Sequence, residues 1–133
     1  MKKPVFTSFA EICAATGKNE QDYNLPAEAS NKVKFQICTD RLWLYAKAYN
    51  KGKPVVFTDT DQWKYTPWHK IIPDASRPFG FRLSYDVYVY TFTFAGLGAR
   101  PPFLHADNAI EVGQNFIEEF EQWYYYMTLA FQE

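Results

Sequence analysis

The sequence predicts an α+β fold, and two observations lead to that class. Segments near both ends repeat apolar residues at steps of three and four, which is typical of amphipathic helices. Residues 63–103 between them are rich in aromatic and β-branched residues, which favour strands. We expect two N-terminal helices, a small antiparallel β-meander of about three strands, and a C-terminal helix packed on the sheet. At 133 residues, the whole chain, 1–133, is expected to form a single domain.

Local signals place the two N-terminal helices. Ser8 followed by Glu11 is a capping box, and Gly17 is typical of the residue that ends a helix. The second helix is expected to begin near Pro26, because proline suits the first turn, and to end at 50–52. Its apolar positions recur at helical steps: Val33, Ile37, Cys38, Leu42, Tyr45, Ala48 and Tyr49.

The strands are placed by alternation and by prolines. Residues 54–57 are either a short strand or an extended leg, and 63–72 is the first definite strand. Pro67 confines that strand to an edge or a bulge, because proline cannot donate to the ladder. A loop over 73–78 leads to a second strand from Phe79, and a change of phase at 85–86 indicates a turn.

A row of rings dominates the expected third strand. Tyr88, Tyr90, Phe92 and Phe94 share one face and are opposed by Val87, Val89, Thr91 and Thr93. A register slip of one residue would exchange the two rows. The ring row is therefore either a solvent-exposed binding face or part of the core beneath the last helix.

The last helix is expected over about 107–127. Gly113 lies on its apolar side and would let another backbone approach closely, whereas Glu121 is expected to face outward. From Trp123 to Phe131 the sequence is apolar on all sides, which a single packing surface would not satisfy. We therefore expect a homodimer contact through this C-terminal segment.

The net charge of −1 hides an asymmetry between the two parts of the chain. Residues 1–100 carry 14 Lys or Arg against 9 Asp or Glu, whereas residues 101–133 carry six acids and no Lys or Arg. The acidic part either neutralises the body of the protein or presents an acidic face to a partner.

No group of residues forms a catalytic, cofactor-binding or metal-binding signature. The sequence therefore predicts no catalytic residue, no cofactor and no bound metal. His69 and His105 belong to no zinc-binding spacing, and His105 is interpreted as the residue that precedes the last helix. Asp59 and Asp61 are better explained by turn hydrogen bonds than by a metal shared with His69. Gly96-Leu97-Gly98 resembles a phosphate-binding turn but lacks the third glycine and is interpreted as the end of the sheet.

Two cysteines and the absence of long apolar segments indicate the cellular location. Cys13 and Cys38 lie among apolar residues of expected helices and are interpreted as reduced and buried. The N-terminus has no apolar signal region, and no run approaches the roughly 20 residues of a membrane span. We expect a cytoplasmic protein that does not insert into a membrane.

Two functions are compatible with these features. The first is a non-enzymatic accessory protein that acts through contacts with an unknown protein partner and self-associates. The alternative is a single-stranded nucleic-acid binder that stacks bases on an aromatic sheet face, although the pI near 6.1 disfavours it. An enzyme is the least supported class, since no constellation of catalytic groups is present. The expected interaction face comprises Trp68, Arg82, Tyr88, Tyr90, Phe92, Arg100, Trp123, Tyr125 and Tyr126.

The chain contains the segments SFAEICAATG, AKAYNKG, DTDQWKYTPW and GARPPFLHADNAIEVGQNFIEEFEQWY. In these segments it resembles a family of small uncharacterised proteins encoded by bacterial mobile elements and phages. SFAEICAATG is similar to the family's SFEDACKALGL-like start, AKAYNKG ends the second helix, and DTDQWKYTPW resembles QYKYYPWF and precedes FGF. GARPPFLHADNAIEVGQNFIEEFEQWY is similar to VGSRLCFKSxELAEYAGKQFxxLYKDY. The resemblance implies no activity. The shared positions are Tyr65, Pro67, Trp68, Gly80, Phe81, Gly98, Arg100, Phe103, Gly113 and Phe116.

The sequence departs from that family just before the last helix. Ala106 replaces the usual serine cap and His105 a basic residue, and Pro101-Pro102 replaces Leu-Cys, so Asp107 is expected to serve as the cap. Arg100 is compatible with stacking on Trp68, with pairing to an acid of the last helix, or with an exposed anion contact.

Overall fold

The computed structural model describes residues 3–56, 58, 59, 61–91 and 100–132. These residues form four α-helices, a short 3₁₀ turn at Glu20–Tyr23, and one antiparallel pair of strands. The α+β class is therefore confirmed. Within the described residues, no helix is both long and apolar enough to cross a membrane. The elements are α1 Phe9–Thr16, α2 Asn31–Tyr49, β1 Lys64–Pro73, β2 Phe81–Thr91, α3 Ala106–Asn115 and α4 Ile117–Gln132.

The N-terminal helices follow their capping signals. Ser8 accepts a hydrogen bond from the Glu11 N–H, and Gly17 ends α1 in the left-handed region at φ 68°, as predicted. The predicted start of α2 near Pro26 is wrong. Because the Ser30 hydroxyl caps the helix by accepting from the Val33 N–H, the first turn forms at Asn31.

The sheet has two strands among the described residues instead of about three. The phase change at 85–86 does not make a turn, because β2 runs through it. At this point the register shifts between Trp68 and His69, so that Asp86 is an extra residue in β2. A β-bulge reverses the alternation of side chains just as a turn would, which explains why the sequence pattern was ambiguous.

A short segment lies on the other side of β1. Phe103 forms an isolated bridge with Tyr65, through hydrogen bonds of 2.7 and 2.8 Å. Asn50 at the end of α2 holds this segment, because its amide donates to the Pro102 carbonyl and accepts from the Leu104 N–H. Residues 54–56 form no strand, so the extended-leg interpretation applies to them.

The last helix is two helices, α3 and α4, which meet at Phe116. His105 precedes α3 and makes no side-chain cap, and Asp107 lies inside the first turn, so its predicted role as the cap is wrong. A single straight helix would present its apolar stripe to one surface. The break lets α3 pack on the sheet while α4 packs along α2 and reaches β2.

Gly113 is the closest point between α3 and the sheet. A Cβ at this position would lie 2.5 Å from the Pro67 Cβ and 2.7 Å from the Tyr85 ring, so the approach is close, but it is made by side chains and not by the backbone that the sequence predicted. The buried apolar residues form one cluster drawn from the helices, Leu83 and Phe103. Its most enclosed large members are Tyr45, Phe103, Phe120, Ile12, Leu42 and Val112.

Candidate interaction surface

Four aromatic rings gather near one end of the two-stranded sheet, and we refer to Trp63, Tyr65, Tyr88 and Tyr90 as the ring cluster. The Trp63 and Tyr90 ring centroids are 5.2 Å apart, and those of Tyr65 and Tyr88 are 5.6 Å apart. Tyr90 is 60% exposed and Trp63 41% exposed, while the other two rings are half-buried. The ring cluster thus presents a continuous aromatic surface to solvent.

The strand register brings these rings together. Tyr65 lies directly opposite Tyr90, and Tyr88 lies opposite Pro67 one step along the same face. The backbone bridge to Phe103 fixes Tyr65 from the other side. Of the predicted ring row, Tyr88 and Tyr90 belong to the ring cluster. Phe92 and Phe94 lie outside the described residues.

The two outer edges of the sheet differ. The N–H and C=O of Tyr65 point toward Phe103 and away from β2. Because these directions alternate along a strand, the backbones of Pro67 and Pro73 also face this outer edge of β1. Proline has no N–H to lose there, which confirms the predicted edge position of Pro67. The edge of β1 is therefore poorly suited to pairing with another strand.

The outer edge of β2 has no such block. The Leu83 N–H is satisfied by the Glu121 carboxylate at 3.0 Å. Further along, the register directs the N–H groups of Tyr88 and Tyr90 away from β1, and no described residue accepts a hydrogen bond from either. This part of the edge lies beside the ring cluster, and within the part of the chain that the structure describes no backbone group pairs with it, so an added strand could do so.

Another exposed ring, that of Trp68, lies on the opposite face of the sheet from the ring cluster. Trp68 is 40% exposed, and the guanidinium of Arg100 lies over its ring at 4.3 Å. Arg100 also approaches Tyr124, whose hydroxyl is 3.4 Å from a guanidinium nitrogen. Of the three roles considered for Arg100, the structure shows the stacking role. Arg82 is exposed and lies 3.6 Å from the Asp74 carboxylate.

The aromatic residues of α4 mainly serve packing inside the protein. Trp123 is only 3% exposed and donates from its indole N–H to the Thr39 hydroxyl of α2. Tyr125 stacks on Phe79 at 4.4 Å, and Lys34 lies over the Tyr126 ring. The all-round apolar pattern therefore has an intramolecular explanation, because α4 contacts α2 on one side and the β-hairpin on another.

Of the five C-terminal acids that the structure describes, three are engaged inside the protein. Glu119 forms a two-point ion pair with Arg41, and Glu121 pairs with Arg77 at 3.0 Å. Glu111 accepts hydrogen bonds from the Tyr49 hydroxyl and the Val5 N–H. Glu121 is 4% exposed, so its predicted outward orientation is wrong. Asp107 and Glu118 are exposed. The acidic segment thus partly neutralises the basic body of the protein.

His69, Asp59 and the two cysteines each have a hydrogen-bond partner or are buried, whereas His105 is exposed. His69 is 6% exposed and its Nε2 lies 2.8 Å from the Gly113 carbonyl oxygen, while Asp59 accepts from the Asp61 N–H as predicted for a turn. Burial raises the pKa of the Cys38 thiol to about 11, so the thiolate is scarce at neutral pH. Among the described residues, no three His, Cys, Asp or Glu gather as metal ligands would.

Sequence reasoning missed Trp63 and Tyr65 as members of the surface. Tyr65 lies two residues before Pro67 and so shares its face of β1, and Trp63, just before the strand, contacts the ring of Tyr90 on that face. The signal was present in that alternation, but the pairing of Tyr65 with Tyr90 depends on the position of the bulge.

Comparisons of the chain with protein-family models, with curated proteins and with solved structures found no match.

Proposed function

We propose that this protein is a non-enzymatic accessory protein that acts through protein–protein contacts, and that the ring cluster is its contact surface. The observation that supports this proposal is the exposure of Tyr90 and Trp63, at 60% and 41%, in a group of touching rings. Aromatic residues are enriched among the residues that contribute most to binding energy at protein interfaces.

The outer edge of β2 at Tyr88 and Tyr90, which no described residue pairs with, supports self-association as the first form of contact. Residues 85–91 contain no proline or glycine and carry one charge, at Asp86. An extended segment with these properties favours pairing with another strand. A second copy of the chain supplies such a strand, and pairing of the two β2 edges would bring the two ring clusters close together.

Sedimentation velocity at high micromolar concentration tests this self-association. We expect a dimer for the wild type and a monomer for Tyr90→Pro, because proline removes an outward N–H without removing a β1–β2 hydrogen bond. Tyr90→Ala keeps that N–H and separates the backbone contribution from that of the ring. Phe131→Ser, which changes an exposed ring at the end of α4, is the matched control for the C-terminal dimer predicted from the sequence.

Single-stranded nucleic-acid binding is the second candidate. The exposed rings of Trp63 and Tyr90 support it, because bases stack on exposed aromatic side chains. Fluorescence anisotropy of labelled oligo(dT) at increasing salt distinguishes the candidates. Salt-sensitive binding that is lost in Trp63→Ser/Tyr90→Ser would favour nucleic acid over protein as the ligand.

Other parts of the proposal rest on narrower observations. Both cysteines and His69 are buried, so their thiols and imidazole are not placed to meet a substrate, which supports a non-enzymatic role. Two free cysteines support a cytoplasmic location. The motifs shared with small proteins of phages and mobile elements support an origin in that group.

A further inference from the structure

A second, concave surface lies at the C-terminal end of α2, on residues that the ring cluster does not include. It is a groove of about 350 Å³ between the last turns of α2 and the segments that follow α2 and precede α3. This volume is in the range of small ligand pockets, and it suits one large apolar side chain. Its apolar walls are formed by Trp43, Leu44, Ala46, Pro54, Val55 and Pro102.

The groove offers few groups that could hydrogen-bond to a ligand. Asn50 lines it, but its amide is occupied by the Pro102 carbonyl and the Leu104 N–H, at 3.0 and 2.9 Å. These two bonds also hold the Pro102 wall against α2. An apolar side chain is therefore a better occupant than a nucleobase, whose polar edge would lose its hydrogen bonds to water.

The rim of the groove is positively charged. Lys47 and Lys53 line it, Lys51 lies between them in the sequence, and residues 41–58 contain no Asp or Glu. All three lysines are exposed, and none forms an ion pair with a described residue. The carbonyls of Ala46, Lys47 and Ala48 at the end of α2 already accept backbone N–H groups, so capping this helix does not require the lysines.

We propose that this groove binds an acidic segment of a protein partner, with an apolar side chain between the walls and flanking carboxylates at Lys47 and Lys53. The inference rests on the proposed role in protein–protein contact and assigns it a second surface and a ligand class. Charge complementarity selects the acidic flanks, and the apolar walls select the central side chain.

Selection of a random dodecapeptide display library on the full-length protein tests the proposal. We expect enriched peptides to carry Leu, Ile, Phe or Trp flanked by Asp or Glu. A fluorescein-labelled copy of an enriched peptide should bind more than tenfold more weakly to Lys47→Glu/Lys53→Glu. The matched control is Lys18→Glu/Lys70→Glu, which makes the same change in net charge at exposed lysines elsewhere and should bind as the wild type.

Thermal melting shows whether each variant is folded. If charge reversal unfolds Lys47→Glu/Lys53→Glu, Lys47→Gln/Lys53→Gln is used in its place. The inference is overturned if no acidic apolar peptide is enriched, if both double variants weaken binding equally, or if oligo(dT) displaces the peptide. If the peptides bind Lys47→Glu/Lys53→Glu as tightly as the wild type but no longer bind Trp63→Ser/Tyr90→Ser, the groove is not their binding site. That result would overturn the inference and leave the proposed function standing.

Discussion

At the scale of single residues, Gly113 sets the distance between α3 and the sheet. A Cβ at this position would lie within 2.5 Å of Pro67 and 2.7 Å of the Tyr85 ring, and neither neighbour is the end of a flexible side chain. Helix propensity alone would favour alanine over glycine by about 1 kcal/mol. The contact with the sheet decides against alanine, because a packed interior does not accept an added methyl without a shift.

We therefore expect Gly113→Ala to lower the free energy of unfolding by about 1–3 kcal/mol. Urea denaturation followed by tryptophan fluorescence measures this change. Gln114→Ala is the matched control, because Gln114 is the next residue of α3 and is exposed, so its change should be small. A Gly113→Ala variant as stable as the wild type would show that α3 can move away from the sheet at little cost.

His69 is a second residue whose environment has a measurable consequence. Since Nε2 faces a carbonyl oxygen it must donate, which leaves the buried Nδ1 without a described partner. Burial lowers the pKa of His69 below its ordinary 6.5, and Arg100 adds to this effect, while the Gly113 carbonyl and Glu121 oppose it. The unfolded chain therefore takes up a proton at this histidine more readily than the folded protein.

It follows that the protein loses stability at His69 as the pH falls below about 6.5 toward the lowered folded pKa. Urea denaturation of the wild type and of His69→Gln, compared between about pH 7.5 and about pH 5, tests this. Glutamine can still donate to the Gly113 carbonyl but does not titrate, so its stability should depend less on pH. Equal pH dependence in both proteins would assign the effect to other groups.

At the scale of elements, Glu121 joins α4 to β2. Its carboxylate accepts from the Leu83 N–H at the outer edge of the strand and pairs with Arg77 in the hairpin loop. A neighbouring strand would normally satisfy that N–H. Here a helix covers the edge instead at Leu83, whereas no described residue accepts a hydrogen bond from the N–H groups of Tyr88 and Tyr90.

We expect Glu121→Ala to destabilise the protein by about 1–3 kcal/mol, since it leaves the buried Leu83 N–H without an acceptor. Glu121→Gln retains an acceptor oxygen and should lose less. Glu118→Ala removes an exposed acid of the same helix and serves as the control, with a change expected to stay within about 1 kcal/mol. Chemical denaturation of the three variants would contradict this account if Glu121→Ala and Glu118→Ala proved equivalent.

At the scale of the whole molecule, charge and aromatic surface are distributed by packing across the chain. Glu119 and Glu121 from the acidic C-terminal part of the chain form ion pairs with Arg41 and Arg77 from residues 1–100. The charge asymmetry along the sequence is therefore partly cancelled in space. Exposed rings collect on the β-hairpin, and exposed lysines collect at the end of α2. The two proposed contact surfaces therefore differ in chemistry: one is aromatic, and the other is apolar with a basic rim.

Sequence by itself determined those features that depend on a few neighbouring residues. Helical and strand periodicities, the Ser8 cap, the Gly17 stop, the edge position of Pro67 and the small size of Gly113 are local, so they were predictable. Only the tertiary structure decided whether the phase change at 85–86 was a turn or a bulge. It also decided that Glu121 is buried, that Trp123 is core, and that Trp63 and Tyr90 are exposed together. Those outcomes depend on contacts between residues that are distant in the chain. A periodic pattern shows which side chains share a face, but it does not specify which distant residues they contact.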